Sequence, residues 1–139
     1  MSDPETPEFL TQEWADAFAA ALNGNPNYAK SAEKWEGDIV IEFTPDGHEL
    51  EVPARFWADI WHGKVRAARF LEPGEQLAAK FSISSSEGAW RDLVNGKLDP
   101  NQALMTGKFK IGGDVGQLMR FTLAAAYILK YLRRLLKDW

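Results

Sequence analysis

Cysteine is absent from this chain, so it has no disulfide framework, no thiolate nucleophile and no thiolate metal site. Histidine is nearly absent. His48 and His62 stand apart, without the H-x-H or H-E-x-x-H spacing that holds a metal. No run of eighteen apolar residues occurs, so no membrane-spanning helix is expected. MSDPETPEFL is acidic and lacks the apolar stretch of a signal peptide, and the final Lys-Asp-Trp is not a peroxisomal address. These absences suit a reducing, cytoplasmic setting. Nucleophilic catalysis would fall to Ser, Thr, Lys or a carboxylate. The cluster Ser82, Ser84, Ser85 and Ser86 lacks a G-x-S-x-G turn, and a strand edge and helix cap account for it. Gly112-Gly113-Asp114-x-Gly116 is only loosely like a phosphate loop. It has no P-loop lysine, and Asp114 puts a carboxylate where phosphate would sit, so turn and cap is the better reading. Catalytic residues, metal and cofactor are all expected to be none.

What the chain does have is apolar bulk: six Trp, eight Phe and three Met in 139 residues, enough for a real core in one domain spanning 1–139. Its charge is divided. Residues 1–106 hold nine Lys/Arg against eighteen Asp/Glu, and residues 107–139 hold seven against two. A mostly acidic body excludes a nucleic-acid partner, because a duplex would be repelled. The basic end reads either as a solvated helix face or as a contact for an anionic membrane or acidic partner.

In chain order, Thr6-Pro7-Glu8 is a helix-opening signal, and Leu10, Trp14, Phe18, Ala21 and Leu22 make one helical stripe that Asn23 to Asn27 ends. Trp14 and Phe18 read first as core and second as ligand contacts. Tyr28 to Trp35 reads either as a helical turn or as the lead into a strand. Alternation then predicts strands over 37–44, 55–61, 64–71, 77–84 and 108–111, with a short return strand at Leu50 and Val52. Val65 and Ala67 are expected on one face of their strand, and Leu77, Ala79, Phe81 and Ile83 on the inner face of theirs. Short turns join most strands, so the fold class is α+β: about five strands, mostly antiparallel, with helices covering one face.

The stretch Ser85 to Asp114 has the clearest punctuation. Ser85 or Ser86 caps a helix through Trp90, Leu93 and Val94, with Glu87 near its start. Asn95-Gly96 stops it, Asp99-Pro100 starts a short helix and Gly107 closes that. Lys108 to Ile111 alternates as a strand, Gly112-Gly113 turn the chain and Asp114 caps the final helix. Its pattern, W-x-x-L-x-x-G-K-x-D-P-x-x-A-x-M-T-G-K-x-K-I-x-G-D, resembles the C-terminal half of the sterol carrier protein 2 family of lipid-binding domains. The resemblance rests on Trp90, Leu93, Gly96, Lys97, Asp99, Pro100, Ala103, Gly107, Lys108, Lys110, Ile111 and Gly113. It covers about a third of the chain well.

The resemblance implies an apolar tunnel between sheet and helices. That tunnel would bind or transfer a fatty acid, fatty acyl-CoA, sterol or phospholipid without catalysis. Carried over by position, it would be walled by Trp90, Leu93, Val94, Ala103, Leu104, Met105, Phe109, Ile111, Leu118, Met119 and Thr122. Met105 and Met119 are flexible enough to suit varied chains. The Trp-rich middle leaves a filled core as the competing outcome. The alternative function is an accessory protein of lipid or quinone metabolism that presents an apolar intermediate and docks through its last helix.

That helix reads as continuous from Val115 to about Lys137, some 23 residues or about 35 Å. Residues 118–129 are apolar nearly all round and should be buried. Beyond them Lys130, Arg133, Arg134 and Lys137 oppose an apolar stripe. It serves as core and lid, as a homodimer contact through Leu132, Leu135, Leu136 and Trp139, or as a transient membrane contact.

Overall fold

The computed structural model describes residues 8–136, without the side chains of Pro100, Asn101, Leu104 and Thr122. The elements run α1 (Gln12–Asn23), α2 (Pro26–Ser31), β1 (Glu36–Thr44), β2 (Ala54–Trp61), β3 (Lys64–Phe70), β4 (Phe81–Ser86), α3 (Glu87–Val94), α4 (Pro100–Met105), β5 (Lys110–Gly113), α5 (Val115–Leu118), a 3-10 turn (Met119–Phe121) and α6 (Thr122–Leu135). The strands form one sheet in the order β3-β2-β1-β4-β5. The β1–β4 pair is parallel and the other pairs are antiparallel.

The core face follows from two-residue alternation. Ile39, Ile41 and Phe43 of β1 stand beside Ala58, Phe56 and Ala54 of β2, and beside Phe81, Ile83 and Ser85 of β4. All are buried. Helices cover this face. Trp14, Trp35 and Trp90 are fully buried in the resulting core. Each places its indole N–H on a backbone carbonyl: Trp14 on Leu135 at 3.2 Å, Trp35 on Gly37 at 2.8 Å and Trp90 on Glu42 at 3.0 Å. The bulk thus enters the core without an orphaned donor. On the free edge of β3, α1 supplies the partners a further strand would have given. Asn23 accepts from Val65 N–H at 2.8 Å and donates to Val65 O at 3.0 Å, and Gln12 donates to Ala68 O at 2.9 Å.

Several local expectations are corrected. Helix α1 starts at Gln12, where Thr11 accepts the Trp14 N–H at 3.2 Å; Thr6 and Pro7 lie outside the described residues. Of the two readings offered for Tyr28 to Trp35, the helical one holds at Tyr28. It belongs to α2, because Asn25 accepts from the backbone N–H groups of Asn27 and Tyr28 at 2.9 and 3.2 Å. Alternation in β3 breaks at Arg66, an extra residue between the Asp59–Ala67 and Ile60–Val65 pairs. Val65 therefore faces the core, but Ala67 is exposed and Phe70 turns in against Phe56. Leu77 and Ala79 are only half-buried and precede β4, which starts at Phe81. They belong to a strap, residues 71–80, that leads from the outermost strand to β4 in mid-sheet.

Strand β5 starts at Lys110 and includes Gly112 and Gly113, which pair with Ser82 and Phe81 instead of turning the chain. A Cβ on Gly113, at φ +83°, would stand within bonding distance of the Lys80 carbonyl, so only glycine permits this approach. The last helix is not continuous. Asp114 caps it as expected, accepting from Gln117 N–H at 3.1 Å. The chain then tightens into the 3-10 turn, and α6 begins at Thr122 without a side-chain cap. Met119 and Leu123 are exposed, although the composition predicts burial there. Leu132 and Leu136 are buried in this chain's own core, so the face offered to a dimer partner is already covered. Lys137 and Trp139 lie outside the described residues.

Candidate functional site

The eleven residues proposed as tunnel wall come from α3, α4, α5, the 3-10 turn, α6 and the region of β5. Ser86 caps α3 by accepting from Ala89 N–H at 3.2 Å, so the helix starts at Glu87. Helical spacing then puts Trp90, Leu93 and Val94 on one side, all buried. The Trp90 ring lies tilted on Phe43 at 4.7 Å between centroids and edge-on to Phe109 at 4.6 Å. Asp99 caps α4, accepting from Gln102 N–H at 3.3 Å, and Ala103 is fully buried. Trp90, Leu93, Val94, Ala103, Phe109 and Leu118 belong to a single core cluster, and Ile111, half-buried and paired with Ile83, packs against it. Met105 and Met119 point outward, 84% and 48% exposed. Leu104 and Thr122 sit in α4 and α6, their side chains outside the described residues.

This seam is apolar and held in place by a carboxylate that sequence reasoning credited only to a helix dipole. Glu87 is completely buried. Its carboxylate accepts from the backbone N–H groups of Glu49 (3.1 Å) and Leu50 (2.8 Å) and from the Arg91 guanidinium (2.8 Å). Burial opposes its charge, but the Leu50 N–H, Arg91 and the Glu49 N–H outweigh that and hold its pKa below the usual carboxylate range. Asp46 from the same loop accepts from Gly88 N–H at 2.8 Å and lies 2.6 Å from His48 Nδ1. Those contacts, His48 first, lower its pKa too. Residues 45–53 are therefore tied to the start of α3. Leu50 and Val52 form no return strand, and the Leu50 N–H that a ladder would use goes to Glu87 instead. The available signal was an acid directly after a cap serine, ahead of an inward Trp.

A cleft of about 840 Å³ lies away from this seam. It sits on the sheet face opposite the helices, between the strap and the strands, and is lined by Glu42, Arg55, Leu77 and Ala78 among others. Arg55 anchors the strap by donating to the carbonyls of Glu75 and Glu72 at 2.7 and 2.9 Å. Among the described residues no group of three His, Asp or Glu side chains is placed to hold a metal ion, and no helix is long and apolar enough to cross a membrane.

A mixed five-stranded sheet with helices on one face, and an apolar seam between them, defines a small α+β fold. The model of the SCP-2 sterol transfer family matches residues 18–125, and the chain belongs to that family. It is similar to the crystal structure of sterol carrier protein 2, with 30% identity and a TM-score of 0.80 over 91% of this chain and 98% of the other. It is also similar to the solution structure of the conserved hypothetical protein TT1886 from Thermus thermophilus. There the identity is 30% and the TM-score 0.77, over 92% of this chain and 90% of that one. The UbiJ-SCP2 ubiquinone synthesis protein shares the fold at 13% identity and a TM-score of 0.52, covering 91% of this chain and 96% of its own. No curated protein matches the chain.

Proposed function

We propose that this chain binds one lipid molecule at a time between the helix-bearing face of its sheet and the seam around Trp90, and hands it on chemically unchanged. The ligand class is a fatty acid, fatty acyl-CoA, sterol or phospholipid. The observation that carries this reading is the family match over residues 18–125, which encloses all eleven proposed wall residues. The physical chemistry is compatible. The seam is lined with hydrocarbon and aromatic groups, and burying an acyl chain there contributes about 0.8 kcal/mol per methylene before the costs of binding. Because Trp90, Ala103, Phe109 and Leu118 close on one another, the ligand must part them on entry. The interrupted α5–α6 segment is the part of the wall best suited to move, since it has the fewest regular helical hydrogen bonds to break.

Native mass spectrometry of the purified protein, with organic extraction, tests this reading directly. A co-purifying fatty acid, phospholipid or sterol supports it, and a co-purifying quinone would move the chain to the accessory role. In parallel, the protein should take up a fluorescent fatty acid presented from cyclodextrin. Ala103→Trp should abolish uptake while the folded state persists by circular dichroism, and Leu77→Trp, on the strap, should leave it unchanged. A clean mass together with no uptake would overturn the proposal.

A further inference from the structure

We propose that the outward side of residues 115–134 is a docking face for anionic membranes, an inference that rests on the lipid-carrying reading above and assigns its point of exchange. Val115, Met119 and Leu123, from α5, the 3-10 turn and the start of α6, are 42%, 48% and 62% exposed. The inner side of this segment is filled by Leu118, Ala124, Ala125 and Ile128, which leaves the other three exposed. On α6, Lys130 and Arg134 lie within about 20° of Leu123 around the helix axis at 100° per residue. Arg120 sits beside Met119, and all three cations are exposed.

The setting of these cations identifies the occupant. In the acidic body, Arg66, Arg69 and Arg91 are ion-paired with Asp59, Glu75 and Glu87, and cations without such a pair, Lys34 and Lys64 among them, stand in a net acidic stretch of chain. Among the described residues, Arg120, Lys130, Arg133 and Arg134 have no acidic partner. Unpaired cations alternating with exposed apolar side chains fit a surface that offers phosphate oxygens above hydrocarbon. An acidic protein would supply the charge but not the hydrocarbon. The acidic residues 1–106 would be repelled by such a surface, so the molecule settles with its C-terminal end down. That places the lipid surface against the 3-10 turn, whose neighbour Leu118 faces the seam.

The experiment is flotation of the full chain with vesicles of phosphatidylcholine alone and with about a third phosphatidylglycerol, at low and high salt. The expected result is binding to the anionic vesicles only, weakened by salt. Arg120→Glu/Lys130→Glu/Arg134→Glu should lower it at least tenfold, and the charge-matched control Lys30→Glu/Lys34→Glu/Lys64→Glu should not. Val115→Ser/Leu123→Ser should slow delivery of a fluorescent fatty acid to vesicles but leave its uptake from cyclodextrin intact. Failure of the wild type to float would overturn the proposal. So would equal loss in the control, or a dimer in sedimentation that Leu123→Ser dissociates. A protein that floats but takes up no lipid leaves the docking face standing and defeats the carrier reading instead.

Discussion

The phenol of Tyr28 is fully buried, and its hydroxyl meets no hydrogen-bond partner among the described residues. Burial drives its pKa above the ordinary tyrosine value, as expected for an unpartnered group in an apolar setting. An unsatisfied buried hydroxyl costs about 1–3 kcal/mol. Tyr28→Phe should therefore stabilise the protein by about 1 kcal/mol, read as a higher denaturant midpoint at unchanged m-value; a lower midpoint would show that the hydroxyl has a partner after all. The three buried tryptophans behave oppositely, since each has its carbonyl acceptor. At this scale Trp14 and Phe18, read as core first and ligand contacts second, are in the core and stacked at 6.0 Å. The role of Glu87 was not legible, because its two N–H partners lie 37 and 38 residues away.

Elements were legible where the chain carries its own punctuation. Ser86, Asp99 and Asp114 cap helices as their positions announce, and Gly96 and Gly107 follow helix ends at positive φ. Edges set by a distant partner were not legible. Alternation runs back from Phe81 to Leu77, but no strand faces those residues, so they cross the sheet as a strap. Gly112-Gly113 reads as a turn, yet the two lie inside β5, where the Lys80 backbone approaches Gly113 so closely that glycine is needed there. Gly113→Ala should therefore cost at least about 3 kcal/mol, from a left-handed backbone and a direct clash. Gly116→Ala should be neutral or stabilise by up to about 1 kcal/mol, because it lies in α5 with open space around it. Thermal melts of the two variants check this, and equal effects would sink the account of β5.

For the whole molecule, acid is the condition to watch. The folded-state pKa of Glu87 is lowered, as is that of Asp46, and the Arg69 hydrogen bond followed by the Glu72 N–H takes Glu75 from 4.5 to about 2. A depressed carboxylate contributes stability that is complete above its unfolded pKa and is lost as pH falls through the folded value. The melting temperature should hold near neutrality and fall progressively from about pH 4.5 towards pH 2. Glu87→Gln should flatten part of that slope and lower stability at pH 7 by about 3 kcal/mol, since Arg91 and the loop N–H groups lose their charged acceptor. An unchanged slope would mean that the 45–53 loop detaches without cost.

The sequence by itself determined the composition of the core, the α+β class, most strands, the caps and the family. Each of these depends on side-chain periodicity or on contacts a few residues apart. Only the tertiary structure decided the bulge at Arg66, the strap, the glycine approach in β5 and the break after Leu118. It alone turned Met119 and Leu123 outward while Leu132 and Leu136 turned in. Those features depend on which surfaces meet, and one periodic pattern permits several such meetings until packing selects among them.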